Sequence, residues 1–236
     1  GVPLKWKSLP IVYRFHSGGS SKLNDDGARR AIRRAFDAWE NVECARGRTS
    51  LRFEEGPDIN SDKPVGKKEA REKYGIYFRD EEWPHDDAEE SIALTNQIYG
   101  KVTGTIDYAD IEINTAHTPF VLNDEDRDGT DLQAVMTHEV GHYIGLAHSK
   151  DPDSIMVARY CQAGNDRCKG GIDRARELSE DDELAVCVMY EPTAPAAPAP
   201  AGCSEGRPSP ADLSAAVGLA FLGSALVRRR RRSSSS

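Results

Sequence analysis

The chain has 236 residues, of which 38% are hydrophobic and 30% charged, a size and balance that suit one soluble domain with a sizeable core plus appendages. The formal net charge of −8 is unevenly spread, because the stretch from residue 193 onward carries six arginines and only two acids, Glu205 and Asp212. The body is therefore strongly acidic and would repel phosphates; no phosphate-cradling glycine loop is present either, so nucleic-acid binding is set aside.

Ile11 to Phe15 alternates β-branched and aromatic residues and reads as a strand, followed by a Gly/Ser turn over 17–21. Asn24 or Asp25 then caps a helix to about Val42, with Ala28, Ala31, Ile32, Ala35, Phe36 and Trp39 on one face. Those side chains are core. Leu51 to Phe53 begins a second strand, and the charged span Asp58 to Lys73, with Pro64 and Gly66, reads as a surface insertion. Gly75–Phe78 and Ser91–Ile98 are strand candidates, and Ile106–Asn114 alternates apolar and polar residues more cleanly. Thr130 and Gln133 form a Thr-x-x-Gln capping box at the start of the next helix, and Ser179 with Asp182 opens a last one to about Tyr190. Strand, helix, several strands and helix predict an α+β fold, an open mixed sheet with helices packed against it.

The second helix carries His138-Glu139-Val140-Gly141-His142, and the run continues through Gly145 to His148. Residues four apart stack on one helical face, so His138 and His142 offer half of a zinc site, with Glu139 beside them to handle a proton. Gly145 lets the helix stop in a left-handed turn and swing His148 back as a third ligand. Three protein ligands leave a fourth position for water, the arrangement of a catalytic zinc.

This HExxHxxGxxH run, with Ser154-Ile155-Met156 following it as a methionine turn, resembles the metzincin zinc peptidases. Ser149 directly after the third histidine points within them to the matrixins. Trp6–Phe15, Ala31–Trp39, Ala109–Asn114 and Leu178–Asp182 look like further matrixin segments, so the resemblance covers roughly residues 4–191. It implies a twisted mixed five-stranded sheet, two helices above the zinc cleft and a small irregular lower subdomain ending in a helix. It also implies Glu139 as general base and acid, Met156 as an apolar floor beneath the histidines, and Asp181 or Asp182 as a brace for that floor. On the residues alone, those two aspartates equally suit a helix N-terminus. Tyr160 matches a pocket-wall tyrosine of the matrixins, but Ala158 replaces the proline of their pattern and leaves that pocket's shape open. Ala158 also occupies the place where astacin-like enzymes carry a tyrosine ligand, so no tyrosine ligand is expected.

Asp124, Asp126 and Asp128, before Gly129, have the alternation of a calcium loop, although Val135 stands where an EF-hand has glutamate. An acidic solvated loop fits equally well, and the family's need for calcium favours binding. His16, His85 and His117 lack the spacing of a second zinc site. Four body cysteines (Cys44, Cys161, Cys168, Cys187) suit two disulfides in an exported protein, and three connectivities are open; Cys161 with Cys168 is a natural local clasp, and Cys44 with Cys187 would tie early and late helices. Gly1 in the first position suits a removed leader, and the latency propeptide of matrixins is not among these residues.

Residues 192–202 are a Pro/Ala-rich spacer. Residues 203–236 join Cys203, a short apolar stretch (Leu213 to Val227) and five arginines (Arg228 to Arg232). Fifteen or so apolar residues are short for a membrane span, and a plain C-terminal anchor competes with a second resemblance, to the sorting signal of myxobacterial surface proteins. That resemblance implies processing at Cys203. The expectation is a catalytic domain over 1–191, a monomer, exported to the cell surface or beyond, cutting proteins or peptides and touching a membrane only through its tail. A zinc-binding surface or adhesion protein that does not cut is the alternative.

Overall fold

The computed structural model describes residues 2–60, 75–85, 91–122, 129–158 and 176–192. All of them lie in the first of two units of the chain, Gly1–Pro195; the second unit, Ala196–Ser236, falls outside the described residues. In chain order the strands are β1 (Lys5–Trp6), β2 (Ile11–Tyr13), β3 (Glu43–Cys44), β4 (Gly47–Arg48), β5 (Phe53–Glu55), β6 (Ile76–Phe78), β7 (Ala93–Tyr99), β8 (Thr105–Ile113), β9 (Phe120–Val121) and β10 (Thr130–Asp131). The helices are α1 (Asp25–Glu40), α2 (Leu132–Tyr143) and α3 (Glu180–Met189).

Helix α1 starts where the Asn24 side chain accepts from Gly27 N at 2.8 Å, with Asp25 and Asp26 adding favourable negative charge to the first turn. Its buried side chains are Ala28, Ala31, Ile32, Ala35, Phe36 and Trp39, the apolar stripe that the three- and four-residue spacing predicts. Each large one contributes about 1.5–3 kcal/mol by leaving water. The stripe packs on α2, where Trp39 Nε1 donates to Thr137 O at 2.8 Å.

Strand β8 organises the sheet. Antiparallel β7 runs along one edge of it, from Ala93 opposite Ile113 to Tyr99 opposite Ile106, while β1 and β6 pair with it in parallel. The two-residue period sends Ala109, Ile111 and Ile113 into the core and Tyr108, Asp110 and Glu112 to the opposite face. That second face is buried too, so its polar groups need partners. Asn96 Nδ2 donates to Asp110 Oδ1 (2.9 Å) and Glu112 Oε1 (3.1 Å), Arg79 Nε donates to Glu112 Oε2 (2.6 Å), and the Tyr108 hydroxyl donates to Asp110.

Where five strands were expected in one sheet, the ladders form a four-stranded sheet (β1, β6, β7, β8) and a separate parallel pair, β2 with β5. Among the described residues one bridge, Phe15 with Ile76, joins the two groups, with Ile76 N donating to Arg14 O and His16 N to Ile76 O.

Two local expectations are corrected. The zinc-motif helix is capped by Asp131, whose carboxylate accepts from Ala134 N at 2.8 Å, and not by a Thr130–Gln133 box. Aspartate caps at least as well as threonine, and Thr130 belongs to β10, its N–H donating to Pro119 O. Cys44 does bond to Cys187, but it sits on β3 beyond the end of α1, so the bridge ties a strand to α3. By contrast, α3 begins at Ser179 as expected, and there a capping box does form: Ser179 accepts from Asp182 N while Asp182 accepts from Ser179 N.

Candidate metal centre and its surroundings

Helical periodicity puts His138 and His142 one turn apart on α2, with ring centroids 4.7 Å from each other. After the helix, Gly145 adopts φ +105°, and a Cβ there would lie 2.1 Å from Leu4 O. Both the backbone conformation and the close approach require glycine. The chain then turns back, and the His148 ring arrives 4.7 Å from that of His142 and 5.3 Å from that of His138. One donor atom from each of the three lies within 4.8 Å of the others, the one such group of three among the described residues.

The tautomers follow from the partners. His138 Nδ1 lies 2.7 Å from Ile155 O and His142 Nδ1 lies 2.8 Å from Leu146 O. A carbonyl can only accept, so each Nδ1 carries the proton and each Nε2 keeps its lone pair. His142 Nε2 and His148 Nε2 stand 3.1 Å apart. Burial lowers the pKa of both His138 and His142, which keeps them neutral.

Below the histidines the chain from Ser149 to Val157 closes on itself through Ser149 N to Met156 O (2.8 Å). Met156 is buried against α2, and a Cβ on Gly141 would lie 2.2 Å from its sulfur and 2.9 Å from Trp39 Cζ2. Glycine at 141 is what lets the methionine turn and α1 approach the helix this closely. The first turn of α3 holds the loop from the other side. Asp182, 1% exposed, accepts from Ser154 Oγ (2.5 Å) and Ile155 N (2.9 Å), while Asp181 accepts from Ser149 Oγ (2.6 Å).

Glu139 is 6% exposed and accepts from the Thr95 hydroxyl at 2.5 Å through Oε2. Burial raises its pKa, and the hydrogen bond from Thr95 works in the opposite direction. Two residues along the same strand face, the Gln97 amide donates to His142 O. Sequence reasoning missed Thr95 and Gln97. Their shared face was legible from strand alternation, but the helix they meet lies 44 and 45 residues away.

His85 pairs with Glu112 at 3.3 Å, His16 Nδ1 accepts from Gly18 N, and His117 sits in the turn after β8; none of the three belongs to a group of three metal-ligating side chains among the described residues. Tyr160, the acidic trio Asp124, Asp126 and Asp128, the Cys161–Cys168 clasp and Cys203 all lie outside the described residues. So does most of the Asp58–Lys73 insertion. No helix among the described residues is long and apolar enough to cross a membrane.

Residues 5–191 match the matrixin family. Matrix metalloproteinase-16 of Rattus norvegicus is 32% identical over 190 residues, covering 80% of this chain and 28% of that protein. Matrix metalloproteinase-C of Caenorhabditis elegans is 30% identical over 186 residues (79% and 28%), and the hatching enzyme of Paracentrotus lividus 29% over 184 (78% and 26%). This chain thus spans less than a third of the length of those relatives. The family implies a catalytic zinc, and the donor set fits one: three imidazoles, two of them with Nδ1 tied to carbonyls and Nε2 left for a metal. The chain belongs to the matrixin family.

Proposed function

We propose that this chain is a zinc-dependent endopeptidase hydrolysing peptide bonds in proteins outside the cell. One observation carries the reading: a buried carboxylate, Glu139, next to three imidazoles whose donor atoms converge. His138, His142 and His148 hold the metal. When bound, zinc polarises the scissile carbonyl and makes the attacking water more acidic. Glu139 takes the proton from that water and returns it to the leaving amine, acting as base and then acid. The burial that raises its pKa suits a group that must both accept and release a proton.

Strand β7 pairs only with β8 among the described residues, so its other edge is open to an extended peptide adding as a further strand. A peptide laid there would pass Thr95, and with it Glu139. Met156 provides the floor that fixes the histidine rings. The sequence further supports Tyr160 as a pocket wall, calcium at Asp124, Asp126 and Asp128, and a division into a catalytic domain (1–191), a linker (192–202) and a tail (203–236) processed at Cys203 for surface delivery. A zinc-binding adhesion protein without turnover would gain nothing from a buried carboxylate beside its metal, and that burial disfavours it.

The test is digestion of a mixed peptide library by the full zinc-loaded chain, read by mass spectrometry against Glu139→Ala and chelator-treated protein. Cleavage by the wild type, lost in both controls, is the expected result. One bound zinc with no cleavage would turn the assignment to the binding protein, and no bound zinc would overturn it.

A further inference from the structure

Strand β7 touches the motif helix through two side chains on one face, and the two contacts differ in kind. Gln97 donates to a main-chain carbonyl, that of His142, and so docks helix to strand. Thr95 reaches the reactive end of a side chain: its Oγ1 lies 2.5 Å from Glu139 Oε2 and 3.1 Å from the Glu139 carbonyl. A hydroxyl has one hydrogen, and the shorter contact, to the side-chain oxygen, takes it. Thr95 itself is fixed by its register opposite Ile111, a fully buried residue of β8.

From this geometry we propose that Thr95 is a positioning residue for Glu139, its hydroxyl holding Oε2 so that the other carboxylate oxygen is presented to the attacking water. The proposal rests on Glu139 being the general base. A glutamate side chain has three rotatable bonds, and its main chain alone does not set where the carboxylate ends. The strand supplies the missing constraint, and it does so from the element whose open edge would carry the peptide. Base and substrate are then registered by one rigid piece of structure.

The experiment uses the full zinc-loaded chain and a quenched peptide chosen from the library digest. Thr95→Val keeps the branched shape and removes the donor; Thr95→Ser keeps the donor. In Thr95→Val, kcat is expected to fall about ten- to a hundredfold, with KM within about twofold of wild type. Zinc per chain should match wild type, the unfolding midpoint should fall only by the loss of one hydrogen bond to a buried acceptor, and Thr95→Ser should recover both the midpoint and most of kcat. Thr95→Ala, which asks less of the packing, should repeat the pattern if the valine variant does not fold. The proposal is overturned if the donor-less variants keep wild-type kcat, if they lose zinc in step with activity, or if serine restores nothing. Glu139→Gln is measured alongside. Loss of turnover there with wild-type kcat in Thr95→Val sinks the role of Thr95 alone, whereas full turnover in Glu139→Gln removes the general base and this proposal with it.

Discussion

His138 and His142 stand on a helix, whereas His148 stands on a loop, and the supports behind them differ in kind. The helical pair is set by local periodicity and backed by α1, with Trp39 and Gly141 in close contact. The third histidine has no such local rule. Its place depends on Gly145 turning the chain, on Ser149 and Met156 closing the loop, and on two aspartates that belong to α3. A ligand on regular structure is as stable as its helix, while a ligand on a loop is only as stable as the distant side chains that pin it.

The largest expected effect on this contrast comes from Asp182→Ala. It leaves the Ser154 hydroxyl and the Ile155 N–H without their acceptor in a buried place, at a cost of about 2–4 kcal/mol in denaturant unfolding. Zinc should dissociate more easily, by about ten- to a hundredfold in affinity, because Ile155 also supplies the carbonyl that orients His138. Unchanged zinc affinity would show that the loop holds without α3. Next is Gly145→Ala, at the junction of the two halves. The positive φ and the approach to Leu4 O predict a loss of about 1–3 kcal/mol, with His148 displaced and zinc content reduced. Calorimetry and metal analysis of the same samples read both.

Asp181→Ala sharpens the comparison, because the carboxylate it removes is exposed and accepts one side-chain hydrogen bond, from Ser149. About 0.5–1.5 kcal/mol is expected, with zinc content retained. The smallest effect lies outside the site. Hydrogen bonds from Arg33 and Arg29 hold Glu55 and Asp58 below the usual carboxylate range. Their contribution is therefore present above about pH 4, the unfolded value, and lost as pH falls through the lower folded values. Both carboxylates are partly exposed, so each contributes less than about 1 kcal/mol, and Glu55→Gln should flatten the acid limb of the stability curve only slightly.

The contrast also explains what the sequence made legible. Spacing rules act over one or two turns, and they suffice for the α1 stripe, the start of the last helix at Ser179 and the His138–His142 pair. They fail where a competing residue is equally good, as with Asp131 beside Thr130. The burial of both faces of β8 was not legible either, since Asp110 and Glu112 read as the wet half of an alternating strand until Asn96 and Arg79 are brought to them. Between Asp181 and Asp182 the sequence could not choose; the fold divides their roles, one holding Ser149 and the other the methionine turn. Thr95 had no local signal, because a contact made across 44 residues exists only once strand and helix are packed.

The bond between Cys44 and Cys187 gives the molecule a topological property besides any gain in stability. It closes 143 residues of sequence separation into a covalent ring that contains Thr95, Glu139 and all three histidines. One cut of the main chain anywhere inside that ring leaves a single connected molecule, with every one of these residues still attached. A protein at work among proteases can thus be nicked without being dismantled: it runs as one species on a non-reducing gel and as two once the bridge is reduced.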